Sequence, residues 1–165
     1  MGIKEDFNMH LGIKGLVLAG LLCGTLPTHA AGSIQGMRFG DWGGNCDAQV
    51  CYLQQVLSQG DAPLMITVIG YAPGKPDPTV IFELPPGIHI KAGVQLQVDN
   101  NPPVKFTGSC DKDYCRAGFA LDQTIIQQFQ SGRKASLSFT PAPKKKPTVL
   151  PLSLIGVTKG LSMLR

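Results

Sequence analysis

Histidine, tryptophan and charge are all scarce in this chain. Its 165 residues hold 3 histidines and 1 tryptophan, and charged side chains make up 16%. His10 and His29 fall within the first 30 residues, which leaves His89 to serve everything after them. A chain so equipped is poorly suited to catalysis by an imidazole set beside a nucleophile or a metal. It shows no G-x-S-x-G, H-E-x-x-H or phosphate-loop pattern. Aromatic residues are only 7% and do not interleave with the basic ones, which argues against a nucleic-acid groove. The uncharged apolar run at 15–26 is shorter than the about 20 residues that span a bilayer.

That run nevertheless has a meaning. Lys14 precedes it, Pro27 ends it, and Thr28-His29-Ala30 follows with small residues at the −3 and −1 positions. Charge, apolar stretch and small-residue site in this order read as a secretory signal peptide. Glu5 and Asp6 offset Lys4, and a start at Met9 would leave Lys14 as the working charge. The competing reading is a buried helix in a cytosolic protein. Cys23 has a lipoprotein-like setting, but Leu22 stands where a lipobox requires a small residue. The expected organisation is therefore a signal peptide over 1–30 and one domain over 31–165. The expected location is periplasmic, secreted or outer-membrane-associated, with no spanning segment in the mature chain.

The mature segment is rich in turn formers, for the whole chain has 20 glycines and 13 prolines. This suits a mainly β fold better than a helical bundle. Residues 31–37 read as a frayed lead-in and 37–42 as the start of a strand. Further strands are expected over 50–57, 64–71 and 79–84. The second of these is apolar throughout and reads as buried on both faces. Ile88, Ile90, Val94, Leu96 and Val98 alternate with polar residues around a break at Ala92-Gly93, placing His89 as a half-exposed strand residue. Residues 104–107 lead to a cysteine pair. Leu121, Ile125, Ile126 and Phe129 share one helical face, with Asp122 as N-cap and Gly132 at the C-terminus. Residues 135–140 and 149–157 read as strands, and 157–164 as a short helix or coil. The expected fold is a single-domain β-sandwich or partly open barrel with one short helix. Trp42 is expected to be buried beside the first cysteine pair.

Four cysteines remain after the signal, in two brackets that both read C-D-x-x-x-C: Cys46 to Cys51 and Cys110 to Cys115. In an exported chain they read as two disulfides. Residues five apart lie about 16 Å apart on an extended strand, far beyond the about 4.4–6.8 Å a disulfide tolerates. Each bracket can close on itself only if its inner residues turn back, and Asp47 and Asp111 are turn formers. Local pairing is the expectation, with long-range pairing open. Two C-x4-C pairs also fit a tetrathiolate zinc site. A thiol-dependent redox factor or periplasmic enzyme is the third reading, although the C-x-x-C spacing is missing. Asp111 and Asp113 offer calcium ligands, but turn chemistry accounts for them. No catalytic residue, metal or cofactor is assigned.

The net charge is +4, and the signal segment contributes nothing to it. Its one dense block is Lys144-Lys145-Lys146, among Pro141, Pro143 and Pro147. It reads as a solvated loop, and functionally as a candidate contact for a polyanion, phospholipid or acidic protein partner.

Several stretches together resemble the invasion-associated locus B family. They are Phe39-Gly40-Asp41-Trp42 with Cys46, then Cys51-Tyr52-Leu53-Gln54-Gln55, Leu84-Pro85-Pro86-Gly87-Ile88, the segment 93–99, and Cys110 to Cys115 with Arg116-Ala117. The close Pro151-Leu152-Ser153-Leu154-Ile155-Gly156-Val157-Thr158 is similar to the family's P-x-S-L-x-G-F-T, with Val157 in place of Phe. The resemblance covers roughly 38–164. It implies an exported, mostly β protein of Gram-negative bacteria, linked in pathogens to entry into host cells, notably erythrocytes. It implies no catalytic residue and no cofactor.

Protein recovered from the native envelope fraction is expected to begin at Ala31. Intact mass measured before and after reduction and alkylation checks this. Four cysteines should alkylate, and only after reduction.

Overall fold

The computed structural model describes residues 33–47 and 50–164. The expected signal segment, Cys23 and the cleavage site at Ala30 lie outside the described residues. The strands are β1 (Arg38–Phe39), β2 (Trp42–Cys46), β3 (Cys51–Gln59), β4 (Ala62–Gly70), β5 (Thr79–Leu84), β6 (Val94–Val98), β7 (Val104–Phe106), β8 (Gly108–Cys110), β9 (Cys115–Ala120), β10 (Lys134–Phe139) and β11 (Thr148–Ser153). The helices are α1 (Gln123–Ser131) and α2 (Val157–Met163), and Ile90–Ala92 forms a 3-10 turn. The larger sheet runs β1-β2-β3-β4-β5-β9-β8 and the smaller β11-β10-β6-β7. Neighbours pair antiparallel throughout. No barrel closes. The larger sheet instead ends in very short edge strands, which offer little for another chain to pair with.

Alternation on the strands fills the space between the sheets. Met65, Thr67 and Ile69 of β4, Val80, Phe82 and Leu84 of β5, and Val94, Leu96 and Val98 of β6 all point inward. Ala135, Leu137 and Phe139 of β10 face them from the smaller sheet. Phe106 of β7 links the layers, its ring 5.7 Å from Phe82 and 4.8 Å from Phe119. Each fully buried aliphatic or aromatic side chain here contributes about 1.5–3 kcal/mol of transfer free energy.

Helix α1 starts where expected. The Asp122 carboxylate accepts from Ile125 N–H at 2.8 Å, and Ile125, Ile126 and Phe129 are buried. A second helix follows Gly156, whose φ of 92° only glycine adopts readily. A Cβ at Gly156 would also overlap the Phe39 carbonyl oxygen. Helix α2 then lays Gly160 on the inward-facing Leu53.

Four expectations need correction. β4 is buried on one face only, since Ile66 and Val68 face outward and are partly exposed. A continuous β-branched run hides the alternation when residues of both faces are apolar. Ile88 and Ile90 are not in a strand. The chain turns there in 3-10 form, and His89 N–H donates to Thr140 O at 2.9 Å. The lead-in is not frayed from Ser33 onward. Ile34 is fully buried, Gln35 Oε1 accepts from Cys46 N–H at 2.6 Å, and Gly44 has no side chain to meet Ile34 O. Trp42 is buried as expected, yet it sits at the far end of β2 from Cys46.

What Trp42 meets is the end of β11. Its indole N–H donates to Ser153 O at 3.0 Å. The Gln55 amide grips the same residue twice: Nε2 donates to Ser153 O at 3.1 Å, and Oε1 accepts from Ser153 N–H at 2.9 Å. The Ser153 hydroxyl donates to Asp41 Oδ2 at 2.5 Å and accepts from Ile155 N–H at 3.2 Å. Asp41 N–H in turn donates to Ile155 O at 3.1 Å. The smaller sheet's edge is thereby pinned to the first hairpin of the larger one. By contrast Thr67, fully buried opposite Gln55, leaves its hydroxyl without a hydrogen-bond partner.

Two substitutions should move stability in opposite directions. Gln55→Ala removes the two-point grip on Ser153 and should cost about 1–3 kcal/mol. Thr67→Val replaces an unpaired hydroxyl with a methyl group of the same shape and should add about 1 kcal/mol. Urea unfolding of both variants beside the parent checks the pair.

Candidate functional site

The cysteine brackets close locally. Cys46 opposes Cys51 in the β2–β3 register, and Cys110 opposes Cys115 in β8–β9. Their Cα atoms are 4.0 and 3.9 Å apart, and both pairs are disulfide-bonded. The shared aspartate builds the same turn twice. Asp47 N–H donates to Val50 O at 3.0 Å, and its Oδ1 accepts from Val50 N–H at 2.9 Å. Asp111 N–H donates to Tyr114 O at 3.0 Å, and its Oδ1 accepts from Asp113 N–H at 2.8 Å and Tyr114 N–H at 3.0 Å. Tyr114 N–H, then Asp113 N–H, hold the exposed Asp111 carboxyl below the usual carboxylate range, with Arg116 adding a smaller pull in the same direction. C-D-x-x-x-C is thus one hairpin design used at two places, and turn hydrogen bonds engage Oδ1 of Asp111.

The two staples lie at opposite ends of the larger sheet. Tyr52, next to Cys51, pairs with Gly70 at the end of β4, whereas Leu84, opposite Cys115, is level with Met65 near its start. Six residues of strand rise put the ends roughly 20 Å apart. Four thiolates so placed cannot share one zinc ion, whose bonds to sulfur are about 2.3 Å.

Lys144, Lys145 and Lys146 fall in the β10–β11 connection, as a solvent-exposed loop. Lys145 N–H donates to Ala142 O at 3.1 Å, and Lys144 takes a φ of 63°, unusual outside glycine. The tight turn displays three successive ammonium groups at the end of the smaller sheet. Other lysines gather at the same end. Lys91 is in the 3-10 turn, which His89 N–H ties to Thr140 at the base of the loop. Lys105 lays its stem beside Gly93, where β6 begins. The second staple borders this turn, with Cys110 Sγ 4.0 Å from Ile88 O, and brings Lys112 near. Among the described residues none of these six lysines is ion-paired; Arg116 with Glu83, at 3.1 Å, is the salt bridge found there. Asp111 and Asp113 are the acids at the staple's tip, and Asp99 lies at the other end of the smaller sheet, holding Arg133 N–H and Lys134 N–H.

Sequence spacing revealed the triple-lysine block and the four cysteines. It missed Lys91, Lys105 and Lys112, because isolated lysines carry no signal until register and turns bring them to one rim. No helix of the described residues is long and apolar enough to cross a membrane.

A family model described as invasion associated locus B (IalB) protein matches residues 43–165. The crystal structure of invasion associated protein B from Bartonella henselae superposes with a TM-score of 0.69 at 21% identity. The match covers 77% of this chain and 93% of that one, and shows a shared fold. No curated protein sequence matches the chain.

Removing a staple should act on stability. Cys46→Ala with Cys51→Ala opens a short loop and is expected to cost about 2 kcal/mol in denaturant unfolding. Stability equal to the parent's would reassign the pair from structure to redox chemistry.

Proposed function

Because this chain belongs to the invasion associated locus B family, we propose that it is an exported, non-enzymatic binding protein of the bacterial envelope or surface. Its contact for acidic partners is the lysine-rich end of the smaller sheet. The observation that carries this reading is the convergence of Lys91, Lys105, Lys112 and Lys144 to Lys146 from four segments, without ion pairing among the described residues. Unpaired cations on one rim raise the local potential and draw in polyanions. Two disulfides support export, since such bonds persist in oxidising compartments. The family's description supports a setting in host-cell contact, with the basic rim meeting an anionic cell surface or an acidic envelope component.

Replacing Lys144, Lys145 and Lys146 together by Gln tests the site. Each lysine near an anionic surface is worth about 1 kcal/mol at modest ionic strength. Binding to vesicles containing phosphatidylserine, and retention on a heparin column, should weaken by roughly a hundredfold at low salt. The difference from the parent should shrink as salt rises. The loop is exposed, so the unfolding midpoint should not move. Retention equal to the parent's at low salt overturns the assignment.

A further inference from the structure

The outer face of the larger sheet carries an aliphatic strip that no helix of the described residues covers. On β3, β4 and β5 the outward residues include Val56, Ile66, Val68 and Ile81, in the cross-strand pairs Val56 with Ile66 and Val68 with Ile81. Val56 is 51% exposed and Ile81 39%. Helix α2 sits on the opposite face against Leu53, and α1 packs against α2. Four adjoining β-branched side chains at the middle of a wide sheet resemble the apolar centre of an interface more than an ordinary solvated face.

The rim indicates what covers the strip. Within the order β2-β3-β4-β5-β9, β4 is the middle strand. A two-fold axis along β4 would lay β3 on the other copy's β5, and β2 on its β9. Register then decides what meets. Ile66 is level with Val56 on one side and with Glu83 and Arg116 on the other. Val68 is level with Gln54 and Gly43 on one side and with Ile81 and Gly118 on the other. Arg116 stands out from β9, its side chain 54% exposed and its guanidinium 4.1 Å above the Tyr114 ring. Two strands to the other side of β4, Asp41 borders a hollow of about 370 Å³. Its floor includes Gly43, where a Cβ would have no neighbour nearer than 3.9 Å. The same axis brings each Arg116 to this hollow and its carboxylate. The arrangement is self-complementary, as a two-fold interface must be. Arg38 and Asp41 lie to one side of the strip and Arg116 to the other, while Glu83, the partner of Arg116, stands beside Ile66, so the charges balance. An anionic membrane would gain nothing from balanced charges, whereas an inverted copy sets each Arg116 at an Asp41, with Val56 beside Glu83 and Ile81 beside Gln54.

We propose that this face binds a second copy of the chain in a two-fold dimer along β4, centred on Val56, Ile66, Val68 and Ile81, with each Arg116 seated at the other copy's Asp41. The smaller sheets then face outward, and the dimer presents two lysine-rich ends. Two linked ends strengthen attachment to a multivalent surface without any new contact.

Sedimentation equilibrium of the oxidised mature protein tests this, from submicromolar to about 100 μM. The mass should approach twice that of the chain. Ile81→Lys, at an exposed position, should raise the dimer dissociation constant at least tenfold, with an unfolding midpoint equal to the parent's at concentrations where both are monomeric. Because Asp41 also holds Ser153, the second test avoids it. Ile66→Cys, close to the axis, should give a covalent dimer under mild oxidation, and Val149→Cys on the smaller sheet should not. A monomer at every concentration overturns the proposal. So does a dimer indifferent to Ile81→Lys, equal cross-linking at residues 66 and 149, or a strip that binds phosphatidylserine vesicles in place of a second copy.

Discussion

The grip of Gln55 and Trp42 on the main chain of Ser153 is the contact on which the sandwich depends. Two sheets packed through aliphatic side chains have no directional reason to choose one offset over another, because apolar burial is nearly indifferent to sliding. Three hydrogen bonds to one peptide N–H and carbonyl remove that freedom. They act where β11 ends, so they also fix the chain that runs on to Gly156 and α2. The side chains that make them come from β2 and β3, strands joined by the first disulfide. A staple at one end of the first hairpin thus steadies the clamp near its other end.

The paired C-D-x-x-x-C brackets show how a short motif acts at a distance from its own chemistry. Each aspartate makes a hairpin turn, each disulfide locks it, and the two hairpins occupy opposite ends of the larger sheet. The first sets the position of the clamp. The second sits beside the 3-10 turn that orients Lys91 and the base of the triple-lysine loop. Neither has geometry suited to holding a metal with the other. Their role follows from where they hold the backbone.

The two outer faces differ in kind. That of the smaller sheet is mostly polar, with Gln95, Gln97, Ser136 and Ser138 outward beside Val149 and lysines at one end. That of the larger sheet is aliphatic at its centre and charge-balanced at its rim. The first suits an acidic surface met in solution, the second a flat partner of its own shape. The division follows from the register alone, because shifting any strand by one residue would exchange its faces.

The sequence by itself determined the β class, the capped helix at Asp122, the two cysteine brackets with their turn-forming aspartates, and the exposed triple-lysine loop, while the pairing within each bracket was decided by the structure. These are local properties: hydrophobic period, capping chemistry and turn preference act within a few residues and need no partner. The family-like stretches around Asp41-Trp42, Gln55 and Ser153 were also legible as motifs, but their purpose was not. Only the tertiary structure brought residues about a hundred positions apart into one clamp. Only it showed that β4 hides one face, that His89 leaves the strand for a 3-10 turn, and that Lys91, Lys105 and Lys112 join the lysine loop at one rim. The physical reason is common to all of these. A strand's pattern states which residues share a face, but which face is covered, and what lies at its ends, depends on pairing register and sheet packing that no local pattern encodes.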